Sequence, residues 1–598
     1  MTGEAEVFRQ VGSTIESDLK KAETIALPVT LVLLVLVFGG LVAASLPLFI
    51  GALTVAGTFL VLQVINSFTD VSIFALNLTT AMGLGLAIDY ALFVISRYRE
   101  ELAAGWPPND AVVRTVRTAG RTVVFSAATV AISLSALLVF NQPLLRSFAY
   151  AGVAVAALAA LASVIVLPAV LALLGHRVDS LRILRRKPVT PTAGENDVWH
   201  RIAMTVMKRP GRIAAAATLL LLFLGAPFLN IDLALSDYRV LPAKASAREA
   251  LGTISTEFAS RESSATEIVV PNYSATDARA LTTYAAALSK VPEVARVDAA
   301  GGSFVGGNLV APPNAASARF AGKGSTWLSV VPNVEPVSPA GERMVEHLRA
   351  IDAPFTTMVG GPSAQLVDSK ASLFARLPYA AAIIAIVTFV LLFLMFGGLL
   401  VPLKALLLNV LSLSATFGAM VWIFQEGHLS KALDFTATGT IDATTPVLMF
   451  CIAFGLSMDY EVFLLSRIKE EHDRTGDNTR AVAMGLERTG RIVTAAAVLI
   501  SLVFVAFATS GITFIKLFGL GLALAVLMDA FVIRATLVPA FMRLAGEANW
   551  WAPVPLRRLQ QRIGLSELVE LDEFPPDTQP GATPLPTTQR SSVSANSQ

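Results

Sequence analysis

In its first third the chain reads Gly83-Leu-Gly-Leu-Ala-Ile-Asp89-Tyr90-Ala-Leu-Phe93-Val-Ile-Ser96-Arg97, and it repeats this pattern as Gly455-Leu-Ser-Met-Asp459-Tyr460-Glu-Val-Phe463-Leu-Leu-Ser466-Arg467. Matched residues lie 370 positions apart, from Asp89 and Asp459 through to Phe148 and Phe518. A repeat kept over this distance indicates two copies of one membrane unit. A charged side chain at membrane depth costs about 2.5–3.5 kcal/mol on insertion scales, so both aspartates are predicted to be functional.

The composition points to a membrane protein. The 598 residues are 54% hydrophobic and 15% charged, with a mean hydropathy of +0.64, well above soluble proteins. A net charge of +2 gives no reason to expect a nucleic-acid partner. The single cysteine, Cys451, excludes an internal disulfide and a cysteine-based metal site. We find no phosphate-binding loop, because Ala321-Gly-Lys-Gly-Ser325 has the wrong spacing, and therefore expect no bound nucleotide. We also expect no metal site.

Apolar runs of about 20 residues predict an α-helical polytopic protein. The first repeat, 25–175, holds five spans; one span at 212–229 opens the second repeat, and 377–545 holds five more. The eleven predicted spans lie at about 25–46, 48–65, 73–96, 123–140, 148–174, 213–229, 380–396, 399–424, 445–465, 492–510 and 517–544.

Residues 230–376 interrupt this pattern with a mixed, charged composition. Alternating apolar residues predict strands at 266–270, 295–298, 326–331 and 355–359, with helices at 277–290 and 340–351. Two β-α-β halves indicate a small ferredoxin-like α+β domain, with a loop at 301–318 between them.

Basic residues predict the orientation of the spans. They concentrate in loops 97–121, 176–211 and 467–491 and in the C-terminal region, which all lie on one side if every span crosses once. That side is expected to be the cytoplasm, with the α+β domain outside the plasma membrane. Segment 546–573 is predicted to be a cytoplasmic amphipathic segment, and 574–598 a disordered tail.

The first repeat is shorter than the second at its start. Residues 1–24 match in type the segment 360–376, which closes the α+β domain before its next span. We therefore expect 1–24 to be the remnant of a first extracytoplasmic domain, with one span and most of that domain, on the order of 150 residues, missing. Either the start of the sequence is misplaced, or the chain is a truncated relative. The alternative is a natural eleven-span protein with its N-terminus outside.

These motifs resemble those of the MMPL family (mycobacterial membrane protein large) of the resistance-nodulation-division superfamily. The resemblance covers the whole chain except the tail, and it is strongest to members that export trehalose monomycolate and related glycolipids. It implies twelve spans, of which 25–175 would be spans 2–6 and 377–545 spans 8–12, with outer porter domains that take up lipid. It also implies a proton relay formed by Asp89, Tyr90, Asp459 and Tyr460. The supporting motifs are Gly360-Gly361, Phe396-Gly-Gly, Pro402-Leu-Lys404, Leu527-Met-Asp529-Ala with Arg534, Val538-Pro539-Ala and Trp550-Trp-Ala-Pro553.

A proton relay needs a group that is neutral in one state and charged in the other, and burial favours the neutral form of a carboxyl group. Helical spacing places each aspartate on one face with the phenylalanine at i+4 and the serine at i+7. We expect these faces to meet at the bundle centre, with the aromatic rings shielding the relay and small residues allowing close helix approach. The shielding or core residues are Phe93, Phe463, Ser96 and Ser466, and the packing glycines are Gly83, Gly85 and Gly455.

Plainer interpretations remain open. The aspartates could form a structural polar pair, and the tyrosines and phenylalanines could be packing residues. Asp529 with Arg534 is favoured as an ion pair that secures the last span over a secondary member of the relay.

The sequence thus predicts a transporter, not an enzyme, that exports a lipid or other amphiphile with the proton gradient as its energy source and no cofactor. The bilayer, the substrate and accessory envelope proteins are the expected partners. The alternatives are efflux of a drug or secondary metabolite by the same mechanism, and a non-transporting membrane scaffold or receptor.

Overall fold

The computed structural model describes residues 4–183, 198–258, 261–273 and 277–563. In this part of the chain, eleven helical segments are long and apolar enough to cross a membrane, as predicted. We number them spans 1 to 11: Ala5–Phe38, Leu41–Asn66, Ile73–Ala103, Pro108–Val139, Pro143–Asp179, Pro210–Asn230, Pro362–Phe396, Leu400–Gln425, Thr444–Thr475, Asn478–Phe507 and Thr513–Trp550.

The predicted break between the first two spans, at residue 47, is wrong, and helices run across two of the predicted segment limits. Residues 1–24 and 25–46 were predicted as separate segments, but one helix runs from Glu4 to Phe38. It ends at Gly39, whose φ of +79° suits glycine, whereas Pro47 lies inside the next helix. In the second repeat, helix Pro362–Phe396 likewise crosses the predicted 376/377 boundary and ends at Gly397, with φ +74°.

Several spans contain π-helical segments or continue into short helices. The π-helical segments in the described residues are Val116–Gly120, Ala162–Val166, Val421–Gln425 and Asp529–Leu537. The α-helices within the composite spans are Pro108–Thr115, Arg121–Ser135, Pro143–Leu161, Leu167–Leu174, Pro210–Gly225, Leu400–Met420, Thr513–Met528 and Val538–Ala545. Outside the spans the helices are Val198–Lys208, Ser246–Glu257, Ala278–Leu288, Pro339–Arg349, Ser430–Leu433 and Val554–Ile563.

Spans 3 and 9 form the centre of the bundle. They are the most buried of the eleven, whereas span 6 is the most exposed and presents large apolar side chains such as Leu219 and Phe223 to its surroundings. An apolar outer face and a buried centre are what a bilayer requires of a helical bundle.

A mixed sheet-and-helix domain lies between spans 6 and 7. Its described strands form a six-stranded sheet in the order β5-β4-β3-β6-β2-β7, and all neighbouring strands are antiparallel. Helices Ala278–Leu288 and Pro339–Arg349 bury Leu281 and Met344 in a common core with the sheet. The strands are β1 Leu233–Ala234, β2 Thr266–Val270, β3 Val294–Ala299, β4 Gly302–Val305, β5 Asn308–Ala311, β6 Thr326–Pro332, β7 Met358–Gly360 and β8 Ile441–Asp442.

Three features outside the spans differ from prediction or extend it. The predicted loop 301–318 contains the β4–β5 hairpin, which adds two strands to one edge of the sheet. Strand β1 pairs in parallel with β8, in the connection between spans 8 and 9. The predicted linker 176–211 contains helix Val198–Lys208. The predicted segment 546–573 contains helix Val554–Ile563. The rest of that segment, 564–573, and the predicted tail 574–598 lie outside the described residues.

Candidate functional site

Spans 3 and 9 bring the two Asp-Tyr pairs together in a crossed arrangement. The Tyr90 hydroxyl donates to Asp459 Oδ2 at 3.2 Å, and the Tyr460 hydroxyl donates to Asp89 Oδ2. None of the four residues is more than 4% exposed. Each tyrosine therefore holds the aspartate of the other repeat. Spacing along one helix predicts that the two faces meet, but it does not reveal this exchange.

The two carboxylates have different surroundings. Ser126, on span 4, donates a hydrogen bond to Asp459 Oδ1. The residue 370 positions further on is Ala496, which has no hydroxyl. Among the residues that the structure describes, Asp89 Oδ1 has no hydrogen-bond partner. Asp459 is thus held by two donors and Asp89 by one. Ser126 was not predicted, because serine is common in helices and its partner lies on another span.

The predicted aromatic pair lies next to the relay. The ring centroids of Phe93 and Phe463 are 4.2 Å apart, one helical turn from the aspartates towards Arg97 and Arg467. Ser96 and Ser466 lie about a further turn along the same faces. The rings separate the crossed pairs from the charged ends of spans 3 and 9.

The predicted packing glycines lie where helices approach closely. A Cβ at Gly455 would lie 3.3 Å from the Cα of Val130, and one at Gly85 would lie 3.3 Å from the Ile500 side chain. A Cβ at Gly83 would come within 2.9 Å of the Val55 side chain. Gly455 therefore meets backbone, whereas the other two meet side chains.

Asp529 and Arg534 form an ion pair that also contacts Tyr460 of the crossed pairs. Ser457 donates to Asp529 Oδ1 at 2.7 Å, and Arg534 donates to the Ser457 carbonyl. The Arg534 guanidinium lies 4.8 Å from the ring centroid of Tyr460, and this arginine is only 2% exposed. The favoured ion pair is thus present, and it places a cation directly against one of the two crossed tyrosines.

A one-residue insertion accompanies this ion pair. Repeat partners are 370 positions apart up to Phe148 and Phe518, but Gly175 and Gly546 are 371 apart. Both glycines have nearly the same backbone angles, with φ +50° and +53°, which supports the match. The second repeat carries its extra residue in the region of the longer π-helical segment, Asp529–Leu537. A π-helix takes up more residues per turn.

Three further buried polar residues were not predicted to belong to the site. Lys404, Asn409 and Glu461 are at most 7% exposed, and the Glu461 carboxylate lies close enough to Lys404 for an electrostatic attraction. Within the described residues, Lys404 Nζ, Glu461 Oε1 and both Asn409 amide atoms lack hydrogen-bond partners. The lysine inside an apolar run could have been used to predict a buried polar group in span 8. Matching Gly39 with Gly397 places Leu46 opposite Lys404, and Ala91 stands opposite Glu461.

The charged ends of spans 3 and 9 are tied together beyond the aromatic pair. Arg467 lies 2.8 Å from Glu470 and 3.4 Å from Glu100, so one of these ion pairs crosses between the repeats. Arg97 lies 2.8 Å from Glu101. Both arginines lie in the loops predicted to be cytoplasmic, and in the structure Arg467 also links span 9 to span 3.

The fold and the buried cluster together define a polytopic helical membrane protein built from two repeats, with ionisable groups at their interface. The model of the MMPL family matches residues 1–213 and 239–566, so the chain belongs to the MMPL family.

Its similarity to individual relatives covers nearly the whole chain. It is 39% identical over 559 residues to a membrane protein of Streptomyces coelicolor, which covers 94% of this chain and 75% of that protein. It is 37% identical over 608 residues to the trehalose monomycolate exporter MmpL3 of Mycobacterium tuberculosis (96% and 63%). It is 33% identical over 548 residues to the mycolic acid-containing lipids exporter MmpL11 of Mycolicibacterium smegmatis (90% and 56%). The chain thus spans about three fifths of the length of these two exporters.

Proposed function

We propose that this protein exports a lipid, glycolipid or similar amphiphile across the plasma membrane, driven by the proton-motive force. The observation that carries the proposal is the crossed pairing of Tyr90 with Asp459 and of Tyr460 with Asp89. Buried ionisable groups at the interface of two membrane repeats are costly, and they mark proton and ion pathways.

The crossed pairs give protonation a mechanical consequence. An ionised carboxylate accepts a tyrosine hydrogen bond strongly, whereas a protonated carboxyl group is neutral and can itself donate. Because each hydrogen bond joins one repeat to the other, proton binding changes the attraction between the repeats. One charge that crosses 100 mV supplies about 2.3 kcal/mol, enough to bias a transition between two packings. The positive charge of Arg534, next to Tyr460, would partly compensate the negative charge of an ionised carboxylate while the proton moves.

The proposal fixes an orientation. The basic loops and the C-terminal region face the cytoplasm, and the α+β domain lies outside as a ferredoxin-like porter domain that takes up substrate. Two β-α-β halves whose strands lie in the order β3-β6-β2-β7 support this domain type, because the third strand lies between the first two. The positive-inside rule supports the sidedness.

The names of MmpL3 and MmpL11 support a mycolic-acid glycolipid such as trehalose monomycolate as the first substrate to test. The proton gradient supplies the free energy, so the proposal needs no cofactor, nucleotide or catalytic centre. Accessory envelope proteins would be its partners on the outer side.

The test is export by an Asp459→Asn variant. Asparagine has the same shape as aspartate, and its amide oxygen can still accept one of the hydrogen bonds that Tyr90 and Ser126 donate, but it cannot ionise. We therefore expect the fold to be kept and the relay to be broken. Asp110→Asn, on an exposed stretch of span 4, is the matched control. We expect the Asp459→Asn substitution to abolish export of the glycolipid at wild-type protein levels, with the control unaffected. If the wild-type protein exports a drug or secondary metabolite instead of the glycolipid, the proposed substrate class is wrong. Full glycolipid export by the Asp459→Asn variant would refute the proposed mechanism.

A further inference from the structure

A groove opens beside span 6, away from the relay. It lies between helix Val198–Lys208, span 6 and the π-helical segment Asp529–Leu537, and has a volume of about 740 Å³. One end is lined by basic side chains and the rest mainly by apolar ones.

The basic end carries three positive charges, from Lys208, Arg209 and Arg212. All three residues are exposed. Among the ion pairs of the described residues, none involves these side chains. Three exposed cations without neighbouring carboxylates favour an anionic ligand, and arginine matches phosphate oxygens well.

The apolar end continues along span 6. Ile213, Ala216 and Leu220 line the groove, and Leu220 lies just over two helical turns, about 12 Å, beyond Arg212. Ala216 is small and leaves room at the middle of the groove, while Leu220 is 49% exposed. A ligand that fits has a compact anionic head and a long apolar chain parallel to the span.

We propose that this groove binds one anionic phospholipid, with its phosphate between Lys208, Arg209 and Arg212 and one acyl chain along Ala216 and Leu220. The assignment rests on the orientation proposed above, in which these residues face the cytoplasmic leaflet, where anionic lipids attract basic residues near the surface. Thr536 also lines the groove, two residues after Arg534. The lipid therefore lies against the outer side of the segment whose inner side holds the relay arginine.

Binding can be measured on the purified full chain in detergent by native mass spectrometry, with added dioleoyl phosphatidylglycerol or dioleoyl phosphatidylcholine. The test variant is Arg209→Gln/Arg212→Gln. Its control is Arg117→Gln/Arg177→Gln, which removes the same charge from exposed basic positions outside the groove. Ala216→Trp keeps the charges and fills the apolar part.

We expect one phosphatidylglycerol to be retained in preference to phosphatidylcholine. Binding should fall about thirtyfold in Arg209→Gln/Arg212→Gln, fall clearly in Ala216→Trp, and stay unchanged in the control. An equal loss of phosphatidylglycerol binding in the control variant would overturn the proposal, because the lipid would then be attracted by the net charge of the protein alone. Displacement by free inorganic phosphate with no effect of Ala216→Trp would overturn it in favour of a phosphate site. No gradient or substrate is present, so the outcome is independent of whether the protein exports lipid.

Discussion

The two repeats carry the same Asp-Tyr motif in different surroundings. Asp459 accepts hydrogen bonds from Tyr90 and Ser126, whereas Asp89 accepts one from Tyr460 and leaves its other oxygen open within the described structure. The second repeat also adds the ion pair of Asp529 with Arg534. The motif that the two repeats share therefore forms the crossed pairs, while the residues that differ between the repeats give the two carboxylates different surroundings. In the proposed relay, two unlike carboxylates would bind and release the proton in a fixed order.

The largest effect is expected at Arg534, where the repeats differ most. Arg534→Met leaves the Asp529 carboxylate buried without its cation, which costs about 3–5 kcal/mol of unfolding free energy. We expect a marked fall in the unfolding midpoint of the detergent-purified protein, together with loss of export.

The matched control removes both charges. Asp529→Leu/Arg534→Met gives the second repeat an apolar pair at this place, and we expect it to recover most of the stability while export stays lost. An Arg534→Met protein as stable as wild type would show that the ion pair does not secure span 11.

Substitutions at Ser126 and at its repeat partner test whether the different surroundings of Asp459 and Asp89 matter for export. Ser126→Ala removes a hydrogen bond to a charged group, worth about 1.5–3 kcal/mol, and makes the Asp459 site resemble the Asp89 site. We expect export, measured as the surface fraction of glycolipid, to fall about tenfold or more.

Ala496→Ser is the reciprocal change, because it offers a hydroxyl on the Asp89 side. We expect it to change export less than Ser126→Ala does. If Ala496→Ser raised export by as much as Ser126→Ala lowered it, Asp89 and Asp459 would have equivalent roles, which would contradict the comparison.

A smaller difference is expected at the packing glycines. Gly455→Ala would press its Cβ against the Val130 backbone, whereas Gly85→Ala would meet only side-chain atoms of Ile500. Overpacking of this kind costs about 1–3 kcal/mol where the neighbour cannot yield. The unfolding midpoint should fall more for Gly455→Ala, and the reverse ranking would contradict the packing described for spans 4 and 9.

The smallest effect is expected at the aromatic pair, the part that is nearly symmetric. A double-mutant cycle with Phe93→Leu and Phe463→Leu should give a coupling energy of about 0.5–1.5 kcal/mol in unfolding experiments. Zero coupling would mean that the rings pack without stabilising each other.

Much of the fold could be predicted because apolar length and a repeated motif are local signals. The eleven spans and the strands of the two β-α-β halves follow from such patterns. The boundary at Gly39 was missed because the apolar run continues past it to Leu46, so hydropathy alone does not show where the first helix ends. The β4–β5 hairpin was missed because its glycine-rich sequence resembles a loop.

The site was harder to predict because it depends on contacts between distant segments. The motif gives the four relay residues, but the exchange of partners between Tyr90 and Tyr460 appears only when spans 3 and 9 are packed. Ser126 and Arg534 reach the relay from other spans. Lys404 was quoted only as part of a family motif, although a lysine in an apolar span was a visible signal.

The most direct test of the crossed relay is substrate-stimulated proton flux in proteoliposomes that contain a pH-sensitive dye and a mycolic-acid glycolipid. Wild type, Asp89→Asn, Asp459→Asn and the control Asp110→Asn would be compared under the same imposed pH gradient. The account predicts stimulated flux in wild type and control and none in either relay variant. Wild-type flux in Asp89→Asn or Asp459→Asn would contradict it, because the proton would then pass without that carboxylate.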